Sequence, residues 1–96
     1  MQQTVMVVDD SGLNLRVAMN MLKDHFDVMC ANSGQAAFDL LEKRIPDLIL
    51  LDVHMPKMNG FEVMDKLHEN EMWKDIPVIM LTADNDRDTE VRGFQA

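Results

Sequence analysis

Short runs of apolar residues separated by stretches of mixed polarity divide the chain into alternating segments. Four of these runs are apolar throughout, which is typical of strands that are covered on both faces of a parallel sheet. They are residues 5–8, 28–31, 48–51 and 77–81. Between them, apolar residues recur at helical spacing. This alternation predicts an α/β fold with a parallel sheet and right-handed crossovers.

The three predicted helices each carry an apolar stripe that we expect to face the sheet. The first spans about residues 13–23, the second follows the capping sequence at 32–34 and ends at Pro46, and the third begins near Phe61. The residues expected on these stripes are Leu13, Val17, Ala18, Met21 and Leu22, then Ala37, Leu40, Leu41 and Ile45, then Phe61, Met64 and Leu67. The acidic start of residues 86–96 favours the opening of a fourth helix.

Polar side chains stand where three of the predicted strands end. Asp9 and Asp10 follow the first strand, Asp52 follows the third, and Thr82 follows the fourth. In a flavodoxin-like doubly wound sheet of order 2-1-3-4-5, the carboxyl ends of the first and third strands are neighbours at the switch point, where ligands bind. Four of those strands are present in the pattern, so Asp9, Asp10 and Asp52 are expected to share one crevice.

Charge, cysteine content and length narrow the classes of function. Nine basic against seventeen acidic residues give a net charge of −8, which argues against direct binding to nucleic acid or to an anionic membrane. The single cysteine, Cys30, excludes an internal disulfide and fits a reducing compartment. No apolar run approaches the ~18–20 residues that span a bilayer. We therefore expect one cytoplasmic domain over residues 1–96.

Three carboxylates in one crevice predict a bound cation. Two like charges about 5 Å apart repel by roughly 3 kcal/mol at an effective dielectric of about 20, so the cluster is costly without a counter-ion. Mg²⁺ prefers oxygen ligands and takes one or two carboxylates together with phosphate oxygens. A carboxylate can also attack phosphorus and form an acyl phosphate. An isolated Asp-Asp pair is more often a helix cap, but the register with Asp52 and Thr82 favours the metal site.

Three motifs in this order and spacing resemble the receiver domain of two-component response regulators. They are VMVVDD at 5–10, LILLDVHMPKMNG at 48–60 and VIMLTA at 78–83. The resemblance implies that Asp52 accepts a phosphoryl group from the phosphohistidine of a sensor histidine kinase or a phosphotransfer protein. It implies a phosphorylation-controlled signalling switch rather than an enzyme, with at most slow self-phosphorylation and self-dephosphorylation.

The same resemblance implies a role for each polar residue at the strand ends. Asp9, Asp10 and Asp52 are expected to hold Mg²⁺ together with the backbone carbonyl of His54. Thr82 is expected to be the switch hydroxyl that moves toward the phosphoryl group, and the small neighbouring Ala83 leaves room for that group.

One departure from the family concerns a lysine. The family carries it at the end of a fifth strand, before a proline, and no lysine here matches that position; Lys57 lies in the loop after Asp52. We therefore expect the fifth strand and the last helix to be missing, either in a fragment of a longer receiver or in a shortened form. The fourth strand would then be an open edge, which predicts a homodimer or larger assembly through residues 78–94.

Two other functions stay open on the sequence. The first is a degenerate receiver-like module that docks a partner without being phosphorylated. The presence of Asp9, Asp10, Asp52 and Thr82 weighs against this alternative, but the missing lysine keeps it open. The second is a magnesium-dependent phosphohydrolase of the haloacid-dehalogenase type that uses an aspartyl phosphate. Such enzymes carry a D-x-D arrangement after the first strand and a cap domain, whereas this chain reads DDS at 9–11 and offers no cap.

Overall fold

The computed structural model describes residues 2–81 and 91–94. Strands and helices alternate along most of this part of the chain, as the apolar pattern predicts. The elements are β1 (Thr4–Val8), α1 (Gly12–Leu22), β2 (Asp27–Ala31), α2 (Gly34–Leu41), β3 (Leu48–Asp52), α3 (Gly60–Glu69), β4 (Val78–Leu81) and β5 (Val91–Phe94). Among these elements, no helix combines the length and the hydropathy that a bilayer crossing requires.

The first four strands form a parallel sheet with β1 and β3 at its centre. The strand order is β2-β1-β3-β4-β5, and β1 to β4 are all parallel to their neighbours. The predicted doubly wound α/β fold with order 2-1-3-4 is therefore confirmed. Because β1 and β3 pair with Val8 opposite Leu51, both strands end at the same edge of the sheet.

The segment at 91–94 corrects two predictions. It is a strand and not part of a helix, and it runs antiparallel to β4, with Gly93 opposite Ile79. The edge of β4 is therefore paired within the molecule, and the predicted assembly through residues 78–94 loses its basis. The physical reason is that a ladder satisfies the backbone donors and acceptors of β4, whereas a helix of about two turns is marginal by itself. The resemblance implies a parallel fifth strand, which we expected to be missing. The observed β5 is antiparallel to β4 and therefore differs from that strand.

The hydrophobic core joins one face of the sheet to α2 and α3. Its residues alternate along the strands, as expected for side chains on a single face. The completely buried members include Met6, Ile49, Leu51, Leu67 and Met80. Trp73, which follows α3, is buried and stacks on Phe38 of α2 with ring centroids 5.7 Å apart. The core therefore holds the central strands and the helices that follow β2 and β3.

Helix α1 forms as predicted, but its apolar stripe is not buried. None of its residues is buried, and the exposed fractions of Leu13, Val17 and Met21 are 68%, 48% and 71%. Together with strand residues such as Val7 and Leu50, they line an open groove of about 380 Å³. The stripe correctly identifies the apolar side of α1, but the part of the chain that the structure describes does not cover it.

Two further residues expected on buried stripes are exposed. Helix α2 ends at Leu41, so Ile45 lies in the following loop, where 43% of it is exposed. The buried face of α3 passes through Val63, Met64 and Leu67, which leaves Phe61 outside. The predictions for Ile45 and Phe61 are therefore wrong, whereas those for Ala37, Leu41, Met64 and Leu67 are confirmed.

Candidate functional site

The ends of β1 and β3 bring three carboxylates together. Asp52 is the last residue of β3, and Asp9 and Asp10 directly follow β1. One carboxylate oxygen from each of these residues lies within 4.8 Å of the others. The backbone of Asp9 continues the ladder, since its N–H donates to the carbonyl of Ala31 at 3.0 Å. The strand order therefore produces the shared acidic crevice that the sequence predicts.

Asp52 is the most deeply placed of the three acids. Only 5% of it is exposed, whereas Asp9 is half-buried and Asp10 is exposed. Burial is the main cause that raises the pKa of Asp52, and the negative charges of Asp9 and Asp10 raise it further. The N–H of His54, which donates to Asp52 Oδ1 at 3.2 Å, opposes this and lowers the pKa. A cation in the crevice would favour the ionised form of Asp52.

The first turn of α1 holds Asp9 in place. Its Oδ1 accepts a hydrogen bond from the N–H of Ser11 at 2.9 Å, and its Oδ2 accepts one from Asn14 Nδ2 at 3.2 Å. Ser11 is the N-cap of α1, because its Oγ accepts from the N–H of Asn14. The sequence analysis missed Asn14; the signal was a side-chain amide placed in the first turn of the helix that follows the acidic pair.

The loop after Asp52 is pinned by the start of α3. Gly60 N donates to the carbonyl of Val53 at 2.9 Å. A capping box closes this end of α3, since the Asn59 side chain accepts from Glu62 N while the Glu62 side chain accepts from Asn59 N, both at 2.9 Å. Lys57 turns the chain with φ of 69°. These contacts fix the backbone around His54. The role of the His54 carbonyl oxygen as a metal ligand stays a prediction.

Thr82 and Ala83 lie outside the described residues. The strand before them ends beside the acidic site, because Leu81 pairs with Asp52 and accepts a hydrogen bond from Val53 N at 3.0 Å. The switch role of Thr82 stays a prediction.

Lysine and arginine side chains do not neutralise the acidic cluster within residues 2–81. The ion pairs in this part of the chain are Arg44 with Asp27 and Lys74 with Glu71. Lys57 lines a separate cleft of about 470 Å³ between residues 32–35 and 55–58, whereas Asp9 and Asp52 line the groove beside α1. That Lys57 does not replace the family's lysine stays a prediction.

The donor atoms of the cluster fit a hard divalent cation. All three side chains offer carboxylate oxygens, which Mg²⁺ prefers over nitrogen or sulfur ligands. The exposure of Asp10 leaves a side open to water, and Mg²⁺ usually keeps several water ligands. Because each carboxylate oxygen of Asp9 accepts one hydrogen bond, both retain acceptor capacity for a metal.

Comparison with known proteins gives consistent matches. The chain is 36% identical over 84 residues to the polar-differentiation response regulator DivK of Brucella ovis, a match that covers 86% of this chain and 68% of that protein. Other curated relatives are much longer, and matches to two of them span 21% of their length.

Solved structures agree with the sequence relatives. The N-terminal domain of a response regulator receiver protein from Methanoculleus marisnigri matches with a TM-score of 0.83 at 36% identity, covering 88% of this chain and 69% of that one. The Mn²⁺-bound form of response regulator Rcp1 matches with a TM-score of 0.74 at 30% identity, covering 90% and 69%. The sequence pattern of the response regulator receiver domain matches residues 5–96. The chain therefore belongs to the response regulator receiver domain family.

Proposed function

We propose that this receiver domain is a magnesium-dependent phosphoryl acceptor that works as a phosphorylation-controlled signalling switch. The observation that carries the proposal is the convergence of Asp9, Asp10 and Asp52 to within 4.8 Å, with the most buried of them at the end of a central strand. The donor is the phosphohistidine of a sensor histidine kinase or a phosphotransfer protein. The single cysteine fits a reducing compartment and so supports a cytoplasmic location for the domain.

Asp52 is the nucleophile in this proposal. The N–H of His54 holds Oδ1, so the carboxylate presents its oxygens in a fixed orientation, which lowers the entropic cost of attack. A carboxylate oxygen forms a bond to phosphorus while the bond from phosphorus to the donor's imidazole nitrogen breaks. The electron pair of that bond stays on the leaving nitrogen, and the product is an aspartyl phosphate.

Asp9 and Asp10, with Asp52 and the carbonyl of His54, are the proposed ligands of Mg²⁺. When bound, the ion supplies positive charge that neutralises the transferring phosphoryl oxygens. The Mn²⁺-bound form of the neighbour Rcp1 supports this choice, since Mn²⁺ and Mg²⁺ both suit carboxylate, carbonyl and water ligands. The exposed Asp10 and half-buried Asp9 leave room for water and phosphate oxygens on the open side.

Thr82 is the proposed switch hydroxyl, which donates a hydrogen bond to a phosphoryl oxygen after transfer. The small Ala83 next to it leaves space for that group.

Incubation with Mg²⁺ and a small phosphodonor such as acetyl phosphate tests the proposal. We expect one added phosphate by intact-mass analysis, which is lost in mild base and absent when EDTA replaces Mg²⁺. Asp52→Asn should abolish the added mass. Asp65→Asn, which changes an exposed carboxylate on α3, should leave it unchanged. Phosphate that survives Asp52→Asn would contradict the assignment of the acceptor.

A histidine phosphotransfer protein extends the test to the proposed donor. Mixing its phosphorylated form with this chain should move the phosphate to Asp52 and regenerate the free histidine. Absence of phosphorylation from both donors, in protein that binds Mg²⁺, would favour the docking module that is not phosphorylated.

A further inference from the structure

The carboxylate of Asp9 is oriented by two hydrogen bonds of different kinds. The bond to Oδ1 comes from the backbone N–H of Ser11, which any residue at that position except proline can supply. The bond to Oδ2 comes from the side chain of Asn14, at 3.2 Å. The orientation of the second oxygen therefore depends on the identity of residue 14.

We propose that Asn14 is a positioning residue that sets the divalent-cation affinity of the site through Asp9. The inference rests on the proposed metal role of Asp9 and adds a residue that is not itself among the proposed ligands. A half-buried carboxylate that is free to rotate must be ordered when a cation binds, and that ordering reduces affinity. Because hydrogen bonds already hold both oxygens of Asp9, the carboxylate is ordered in the folded protein before a cation binds.

The chemistry of the amide group suits this role. The Nδ2 group donates, so it holds a carboxylate oxygen of Asp9 without adding another negative charge beside Asp10 and Asp52. It uses one acceptor site on Oδ2 and leaves the other available to a cation. Partners of this type, which hold a ligand without touching the metal, commonly change metal affinity when they are removed.

The position of Asn14 also separates this role from folding. Its backbone N–H donates to Ser11 Oγ and completes the N-cap of α1, and that bond survives substitution of the side chain. The side chain itself is exposed, so replacing it does not open a cavity in the core. Variants at residue 14 can therefore change the orientation of Asp9 while the fold is retained.

The test is a calorimetric titration with Mg²⁺ alone. Asn14→Leu, which keeps a similar size and removes the donor, should raise the dissociation constant about tenfold. Asn14→Gln, which keeps a donating amide, should recover part of the loss. Asn20→Leu is the matched control, because Asn20 is also exposed on α1, and its affinity should equal that of the wild type.

Unfolding in denaturant without metal, followed by the fluorescence of Trp73, gives the second readout. If Asn14 acts only on the metal site, Asn14→Leu and Asn20→Leu should have equal free energies of unfolding. Equal Mg²⁺ affinity of Asn14→Leu and the wild type would overturn the inference and leave the proposed function intact. Failure of the wild type to bind Mg²⁺ would overturn both. A loss of affinity that Asn14→Gln partly restores, at unchanged stability, would support the inference.

Discussion

The backbone nitrogen of Gly60 lies 2.9 Å from the carbonyl oxygen of Val53, so α3 starts directly against the end of β3. A Cβ at Gly60 would lie 2.6 Å from the carbonyl oxygen of Asp52 and 2.9 Å from Val53 Cα. Both neighbours are backbone atoms, which cannot move without displacing the strand end. The start of α3 is therefore coupled mechanically to the acidic crevice.

Substitution Gly60→Ala should destabilise the fold and weaken Mg²⁺ binding together. We expect a loss of about 1–3 kcal/mol, as for overpacking at a tight contact, measured by denaturant unfolding with Trp73 as the probe. Gly12→Ala is the matched control, because no atom lies within 4 Å of a Cβ at that position. Since Gly12 begins α1, alanine there should be neutral or stabilising by up to about 1 kcal/mol. Equal effects of the two substitutions would contradict the close-contact argument.

The metal-free protein should lose stability as the pH rises through the titration of Asp52. The pKa of this residue is raised above its ordinary value of 3.8, chiefly by burial. Above that value the unfolded chain releases the proton first, so the folded state binds more protons and the free energy of unfolding falls with increasing pH. The fall ends once the folded carboxyl is also ionised.

Substitution Asp52→Asn should remove this part of the pH dependence. The side-chain oxygen of asparagine can still accept from His54 N, and the repulsion from Asp9 and Asp10 is removed. We therefore expect the variant to be as stable as the wild type or more stable at neutral pH without metal, measured by denaturant unfolding at several pH values. A marked loss of stability would mean that the ionised carboxylate has a structural role.

Substitution Asp10→Asn should nearly abolish Mg²⁺ binding in a calorimetric titration. A cation that keeps several waters depends on few protein ligands, so each carboxylate matters. Asp24→Asn provides a control with the same change in net charge, because Asp24 is exposed beyond the other end of α1. An unchanged Mg²⁺ titration of Asp10→Asn would remove Asp10 from the site.

A separate polar network stabilises the end of the sheet opposite the acidic crevice, where β1 begins. Thr4 N donates to Asp47 Oδ2 at 2.8 Å, and Asp47 N donates to the carbonyl of Thr4 at 2.7 Å. Asp47→Ala leaves the N–H of the buried Thr4 without this acceptor, which should cost about 1–3 kcal/mol. Thermal or denaturant unfolding would measure the loss, and Mg²⁺ affinity should not change. Asp27→Asn breaks only the exposed pair with Arg44 and should cost less than about 1 kcal/mol.

The sheet and the acidic crevice were predictable because they follow from local patterns. Runs such as 48–51 are apolar on both sides, and an acid placed directly after a buried strand must lie at its carboxyl end. The strand order then brings Asp9, Asp10 and Asp52 together. The side chain of Asn14 gives only a weak signal, because polar residues are common in the first turn of a helix and the contact with Asp9 is visible only in the folded structure.

The errors arose where tertiary contacts decide the outcome. Helical spacing identified the apolar side of α1, but it contains no information on whether another element covers Leu13 or Met21. Residues 91–94 carry a weak helical pattern, and their pairing with β4 depends on the backbone of a strand that is distant in sequence. The intrinsic helix propensity of a short segment is small compared with the contacts that such a ladder provides, so it predicts the structure of the segment poorly.

The exposed apolar side of α1 has a consequence for motions of the native protein. A helix without buried residues gains little from packing, and such segments open by local unfolding at low free energies. Amide hydrogens of α1 should therefore exchange with solvent faster than those of β3. The same helix supplies the contacts to Asp9, so opening of its first turn would release that carboxylate. Local unfolding of this turn and Mg²⁺ binding are then thermodynamically coupled. Mg²⁺ should therefore slow the exchange of amide hydrogens in the first turn of α1.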